Sequence, residues 1–117
     1  MRVYPYCAVL LLSACALEVS APLAVIGENG QVLRGTTEAS LSEGGRFFAS
    51  DGNLSCSGPY DAMTESTTLS VVVTCSDGRR GLATATRDQS LQSGAGTMRL
   101  NDGSDWTFVF GPAANAL

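Results

Sequence analysis

The sequence has no histidine and no lysine, and only 15% of its 117 residues are charged. Each absence removes a class of chemistry. Without histidine, no side chain titrates near neutral pH unless its surroundings shift it far. Imidazole metal sites and Ser–His or Cys–His nucleophiles are excluded with it. Without lysine there is no Schiff base and no Ser–Lys hydrolysis. Carboxylate, arginine, tyrosine and hydroxyl groups are what remain, so no enzyme is expected, and no cofactor or metal. Seven arginines stand against eleven Asp and Glu, a net charge of −4. An acidic surface repels phosphate backbones, which argues against a nucleic-acid partner.

The length suits one domain. Its first fourteen residues, MRVYPYCAVLLLSA, have the build of a secretory leader. Arg2 supplies a positive start, an apolar stretch too short to span a bilayer follows, and small residues close it. The leader ends in Leu12-Ser13-Ala14-Cys15. This resembles the bacterial lipobox: an aliphatic residue, two small residues, then the cysteine that defines the motif. The resemblance implies a diacylglycerol on the Cys15 thiol, cleavage before it, and acylation of the freed amine. Two or three acyl chains, at about 0.8 kcal/mol per buried methylene, hold a protein stably on a membrane. Ala16 rather than Asp follows the cysteine, and in that family this suggests the outer membrane, facing the periplasm. Two plainer readings stand beside it: ordinary cleavage near Ala14-Cys15-Ala16 or Val19-Ser20-Ala21 to a soluble secreted protein, or a strand of a cytosolic one. The expected layout is a signal peptide over 1–14, the lipidated cysteine and a short tether over 15–21, one β domain over 22–111 and a tail over 112–117.

Four cysteines occur. Cys7 leaves with the leader and Cys15 takes lipid, so in an oxidising compartment Cys56 and Cys75 are expected to form a disulfide. A redox pair would want a CxxC spacing at a helix start, which is absent.

A turn signal recurs along the rest of the chain. Ser50-Asp51-Gly52, Ser76-Asp77-Gly78 and Asn101-Asp102-Gly103 are spaced almost evenly, with Glu28-Asn29-Gly30 as a less regular fourth copy. Such turns between alternating apolar runs signal hairpins. The flanks read as strands over 23–27, 31–37, 46–49, 54–60, 67–75, 82–87, 97–100 and 106–110. Three-residue loops with Gly last set Met98 opposite Trp106, Val71 opposite Ala83 and Phe48 opposite Leu54, with Cys56 opposite Cys75. One face then gathers Phe48, Leu54, Tyr60, Leu69, Val73, Ala85, Leu100, Phe108 and Phe110, and polar residues fall on the other. Two-residue turns would put Arg99 opposite Trp106 and rank second. The class is all-β: an antiparallel meander of about eight strands, closed as a small up-and-down barrel or flattened into a sandwich. The phrases Cys56-Ser57-Gly58-Pro59-Tyr60-Asp61, Cys75-Ser76-Asp77-Gly78-Arg79-Arg80-Gly81 and Phe108-Val109-Phe110-Gly111 are similar to those of a group of small proteobacterial lipoproteins. That resemblance implies an anchored envelope protein and adds no chemistry.

Candidate sites are sparse. Asp51, Asp77 and Asp102 could hold calcium, but such turns want Asp for their own backbone. Asp61 with Glu65 would be a glycosidase pair without a cleft. Tyr60 and Trp106 read as core before pocket. Arg79 and Arg80, beside one turn, are the candidate contact for an envelope partner, with a solvated hairpin tip as the plain alternative. The function expected is non-enzymatic, structural or partner-binding at the membrane. The alternatives are an inhibitor of a periplasmic protease or lysozyme-type hydrolase, which needs a projecting loop, and a small-ligand carrier, which needs an interior cavity of about 300 Å³.

The anchor is tested by Cys15→Ser. The variant should lose acylation and accumulate as uncleaved precursor on a gel of labelled envelope; normal maturation with retention in the membrane fraction refutes the lipobox.

Overall fold

A computed structural model describes residues 19–40, 44–62, 64–89 and 93–117. The leader and Cys15 lie outside the described residues. Eight antiparallel strands run in sequence order: β1 (Val19–Gly27), β2 (Val32–Ser40), β3 (Gly44–Ser50), β4 (Ser55–Tyr60), β5 (Thr68–Cys75), β6 (Arg80–Arg87), β7 (Gly94–Leu100) and β8 (Asp105–Phe110). Each pairs with the next, and β8 pairs back onto β1 to close a barrel. The sheet therefore has no free edge. The first strand starts at Val19, so only residues 16–18 separate it from Cys15, fewer than the expected tether.

Alternation puts apolar side chains inside. On β5, Leu69, Val71, Val73 and Cys75 are buried while Ser70, Val72 and Thr74 are exposed. On β6, Ala83 and Ala85 are buried between exposed Leu82, Thr84 and Thr86. Apolar inside with mostly hydroxyl outside is the pattern of a barrel standing in water, the reverse of one facing lipid.

Three of the four tight turns have the expected three-residue form. In the turn over residues 76–78, Cys75 N–H donates to the Arg79 carbonyl at 2.9 Å and Gly78 N–H to the Cys75 carbonyl at 3.0 Å, with Gly78 at φ 93°. Residues 28–30 and 101–103 repeat this closure. Met98 pairs with Trp106, Val71 with Ala83 and Cys56 with Cys75, as expected. The remaining turn corrects the reading. Ser50 pairs with Ser55, so the loop is four residues, 51–54. The Asp51 carboxylate accepts from Asn53 N–H and Leu54 N–H at 2.9 and 2.8 Å, which fixes the longer turn. One extra residue reverses every side chain of the strand before it. Phe48 therefore does not face Leu54 from inside. It pairs with Ser57 and is 50% exposed, and Phe47 takes the inward place.

The wall is bent where glycines face aromatic residues across the ladder. Gly27 pairs with Trp106, Gly45 with Tyr60, Gly94 with Phe110 and Gly96 with Phe108. A methyl on Gly96 would meet the Phe108 ring at 2.7 Å and the Thr84 carbonyl at 2.0 Å. The ring covers the glycine, and the backbone closes in behind it, which is how small barrels curve. Outside the wall a short 3-10 helix, Pro112–Ala116, packs on β1. It explains why Ala24, between inward Leu23 and Val25, is also fully buried. Arg34, paired with Ala24, donates from its guanidinium to the Ala114 and Leu117 carbonyl oxygens and ties the helix down.

The weakest ladder is β4–β5, registered only at Cys56↔Cys75 and Ser57↔Thr74. Ser55 turns its N–H and C=O toward the start of the β5–β6 turn at Ser76. By the period of two, Pro59 points the same way and has no N–H to give, so the ladder stops there. The Cys56–Cys75 disulfide closes this seam from inside. It encloses a loop of sequence separation 19, worth about 3 kcal/mol in the chain-entropy model. Cys56→Ser with Cys75→Ser should keep the β circular-dichroism spectrum and lower the melting temperature by about 10–20 °C. An unchanged melting temperature refutes the assignment of that seam to the disulfide.

Candidate functional site

The two ends of the barrel differ in side-chain size, and this difference makes the site. Around the tight turns the interior is filled by Leu33, Leu54, Val73, Leu100, Trp106 and the disulfide. An eight-stranded barrel is just wide enough for side chains to fill, and here they do. Toward the longer connections the inward positions are small, with Ala21, Ala39, Ala62, Ala83 and Ala85, and the aromatic rings lie along the wall over their glycines. The axis is left open. A cavity of about 210 Å³ results, with Leu23, Phe47, Val71, Met98, Phe108 and Phe110 among its lining. It reaches the long-loop end, where Ala21, Thr37, Ala39 and Ala62 are only half-buried. By volume it matches about seven waters at their liquid density.

Three polar side chains line this apolar space, Thr37, Tyr60 and Arg87. Tyr60 is half-buried; burial pushes its phenol up, while a hydrogen bond with the Thr37 side chain and the nearby Arg87 charge pull it back and Glu38 raises it slightly. Arg87 ends the inward run Ala83, Ala85, Arg87 and is 5% exposed. Its Nη2 donates to the Thr64 and Ser66 carbonyls at 2.9 and 2.6 Å, drawing residues 64–66 back to the barrel. Its Nε–H is buried without an acceptor. Among the described residues, ion pairs to carboxylates are made by Arg79 and Arg99 and not by Arg87.

The chain resembles designed β-barrels. The redesigned barrel mFAP1, solved bound to DFHBI, matches at TM-score 0.61 and 20% identity, over 84% of this chain and 96% of that one. A de novo fluorescence-activating β-barrel matches at TM-score 0.58 and 21% identity, over 85% and 95%. At such identities the likeness is one of fold. No protein-family model and no curated protein matches the chain.

The residues singled out from sequence fall into separate places. Tyr60 lines the cavity, whereas Trp106 is core at the other end, its indole N–H on the Ser104 hydroxyl at 3.1 Å. Asp61 and Glu65 are exposed on the connection between β4 and β5. Asp51, Asp77 and Asp102 each accept backbone N–H groups of their own turns, the role turn chemistry gives them. No cluster of three or more metal-ligand side chains occurs among the described residues. Arg79 is held by Asp77 at 2.8 Å and by Asp102 of the next hairpin at 2.9 Å, so its charge links two tips. Arg80 is exposed, its backbone N–H on the Asn101 side chain. Gln31 donates to Asp51 in the same fashion across another pair of tips. Sequence reading does not single out Arg87, the last residue of the strand read over 82–87. The parity of Ala83 and Ala85 was the signal that turns it inward.

The tip carboxylates give a pH dependence of known sign. Hydrogen bonds from the Ser104 hydroxyl and N–H, then Arg79, hold Asp102 down to about 2, from an ordinary 3.8. The Leu54 N–H, then Gln31, lowers Asp51, and the Arg79 N–H and guanidinium lower Asp77. The folded state thus binds fewer protons than the unfolded one in this window, and the stability present above pH 3.8 is lost as pH falls toward 2. Melting temperature should be level near neutrality and fall below about pH 4. Asp102→Asn, which keeps the turn acceptor without the charge, should flatten that acid slope. The same slope in the variant would show that Asp102 does not contribute to it.

Proposed function

We propose that this chain is a non-enzymatic, lipid-anchored envelope protein whose barrel takes up a small apolar molecule close to the membrane. The observation that carries the reading is the apolar cavity left open at the long-loop end while the other end is packed and stitched. Native interiors rarely keep voids much larger than a water molecule, because each costs contacts. A void of about 210 Å³ lined by Ala, Phe, Leu and Met is therefore a reason to look for an occupant. It is smaller than the roughly 300–1,000 Å³ of drug-sized sites, which favours a slender ligand over a bulky one. The barrel fold can hold a small molecule, as mFAP1 does DFHBI, although the ligand of this chain would be set by its own lining. The lipobox ending at Cys15 supports delivery to the membrane surface, where single-chain lipid fragments are at hand. Surface binding of a partner through the hairpin tips is the second reading, supported by exposed Arg80; Arg79 is already occupied by Asp77 and Asp102. An inhibitor loop finds less support, because Arg87 pulls residues 64–66 onto the barrel.

The test is a titration of the isotopically labelled domain with 1-octanol, followed by NMR. Shifts should concentrate on the methyl groups of Ala39, Val71, Ala85 and Met98. Ala85→Leu should fill the cavity, lower the affinity at least tenfold and leave the melting temperature equal or higher, as added methylenes are tolerated where a void exists. Shifts scattered over the outer surface, or an unaffected affinity in the variant, would refute uptake into the barrel.

A further inference from the structure

Resting on that reading, we infer that the cavity selects an amphiphile with one apolar chain and an anionic head, and that Arg87 is the residue that binds the head. A guanidinium inside an apolar barrel is expensive unless its charge and its donors are satisfied. Two carbonyls satisfy Nη2, but Nε–H is buried with no acceptor, and no described carboxylate pairs with the charge. The side chain lines the cavity and does not leave it for solvent. An anionic oxygen on Nε–H would supply both the missing acceptor and the missing counter-charge with a charge-assisted hydrogen bond.

The dimensions name the rest of the ligand. Arg87, Ala85 and Ala83 stand in line along β6, and Met98 pairs with Ala83 at the deep end. Four residues of strand span about 13 Å, the reach of a single alkyl chain of medium length. The lining along that path is alanine, leucine, valine, methionine and phenylalanine, with no second charge among the lining residues. Tyr60 and Thr37, near Arg87 at the rim, offer hydroxyl groups to a head there but nothing to a tail. A carboxylate on a saturated chain fits both parts: head at Arg87, chain toward Met98.

Three ligands with the same chain and different heads decide the matter: octanoate, 1-octanol and octylammonium, titrated into the full barrel by NMR. Octanoate should bind about tenfold or more tighter than 1-octanol, and octylammonium weakest. Arg87→Met should lower octanoate affinity about 10- to 100-fold, the range of one charge-assisted hydrogen bond, and remove most of the preference for octanoate over 1-octanol. Equal affinity for octanoate and 1-octanol in the unaltered protein overturns the anionic head while leaving uptake of apolar molecules standing. Binding of none of the three overturns both. Because Arg87 also holds residues 64–66, the variant could lose its fold; the comparison of the three heads in the unaltered protein then decides alone.

Discussion

An aromatic ring laid across a facing glycine is the contact on which this barrel depends. It occurs at Trp106 over Gly27, Tyr60 over Gly45, Phe108 over Gly96 and Phe110 over Gly94. Each pair does two things at once. The missing Cβ lets neighbouring backbones crowd together and bend the sheet, and the ring restores the buried apolar area that glycine cannot provide. Flat sheets do not close, so the eight-strand circuit rests on these bends. The same contact also sets the interior. A ring held against the wall is a ring withdrawn from the axis, and with alanine at the intervening positions the axis stays empty over half the barrel.

The two ends consequently have different physics. At the tight-turn end the side chains of Gln31, Ser76, Arg79 and Asn101 reach from one hairpin to the next, and the interior below them is solid. At the other end the connections are longer and the interior is open. Arg87 works against the openness by gripping two carbonyls of the connection between β4 and β5. Exposed pairs such as Arg99 with Asp105 add little by comparison, since water screens them.

Much of the fold was legible because turn chemistry and alternation are local. Glycine in a three-residue loop fixed the register of three hairpins, and Cys56 opposite Cys75 fixed a fourth ladder. The error came from the same source. Asn53 lengthens one turn by a single residue, nothing in Asp-Gly announces it, and with a period of two it exchanges Phe47 for Phe48. From sequence the segment 112–116 reads as a tail, because five residues without a period carry no signal; its place is decided by Arg34, some eighty residues away in sequence. The cavity was not legible at all. It depends on which end of each strand carries alanine and on where rings rest, and both are properties of the closed circuit.

Pro59 gives the barrel an unequal wall. Seven of the eight seams are ladders of five or more registered pairs, and one has two. Cooperative units open where few main-chain hydrogen bonds have to break. Fluctuations of this wall are therefore concentrated in one slot, bounded below by the disulfide and above by the residues that Arg87 holds. Amide protons along the upper part of β5 should therefore exchange with solvent sooner than those of its partner β6.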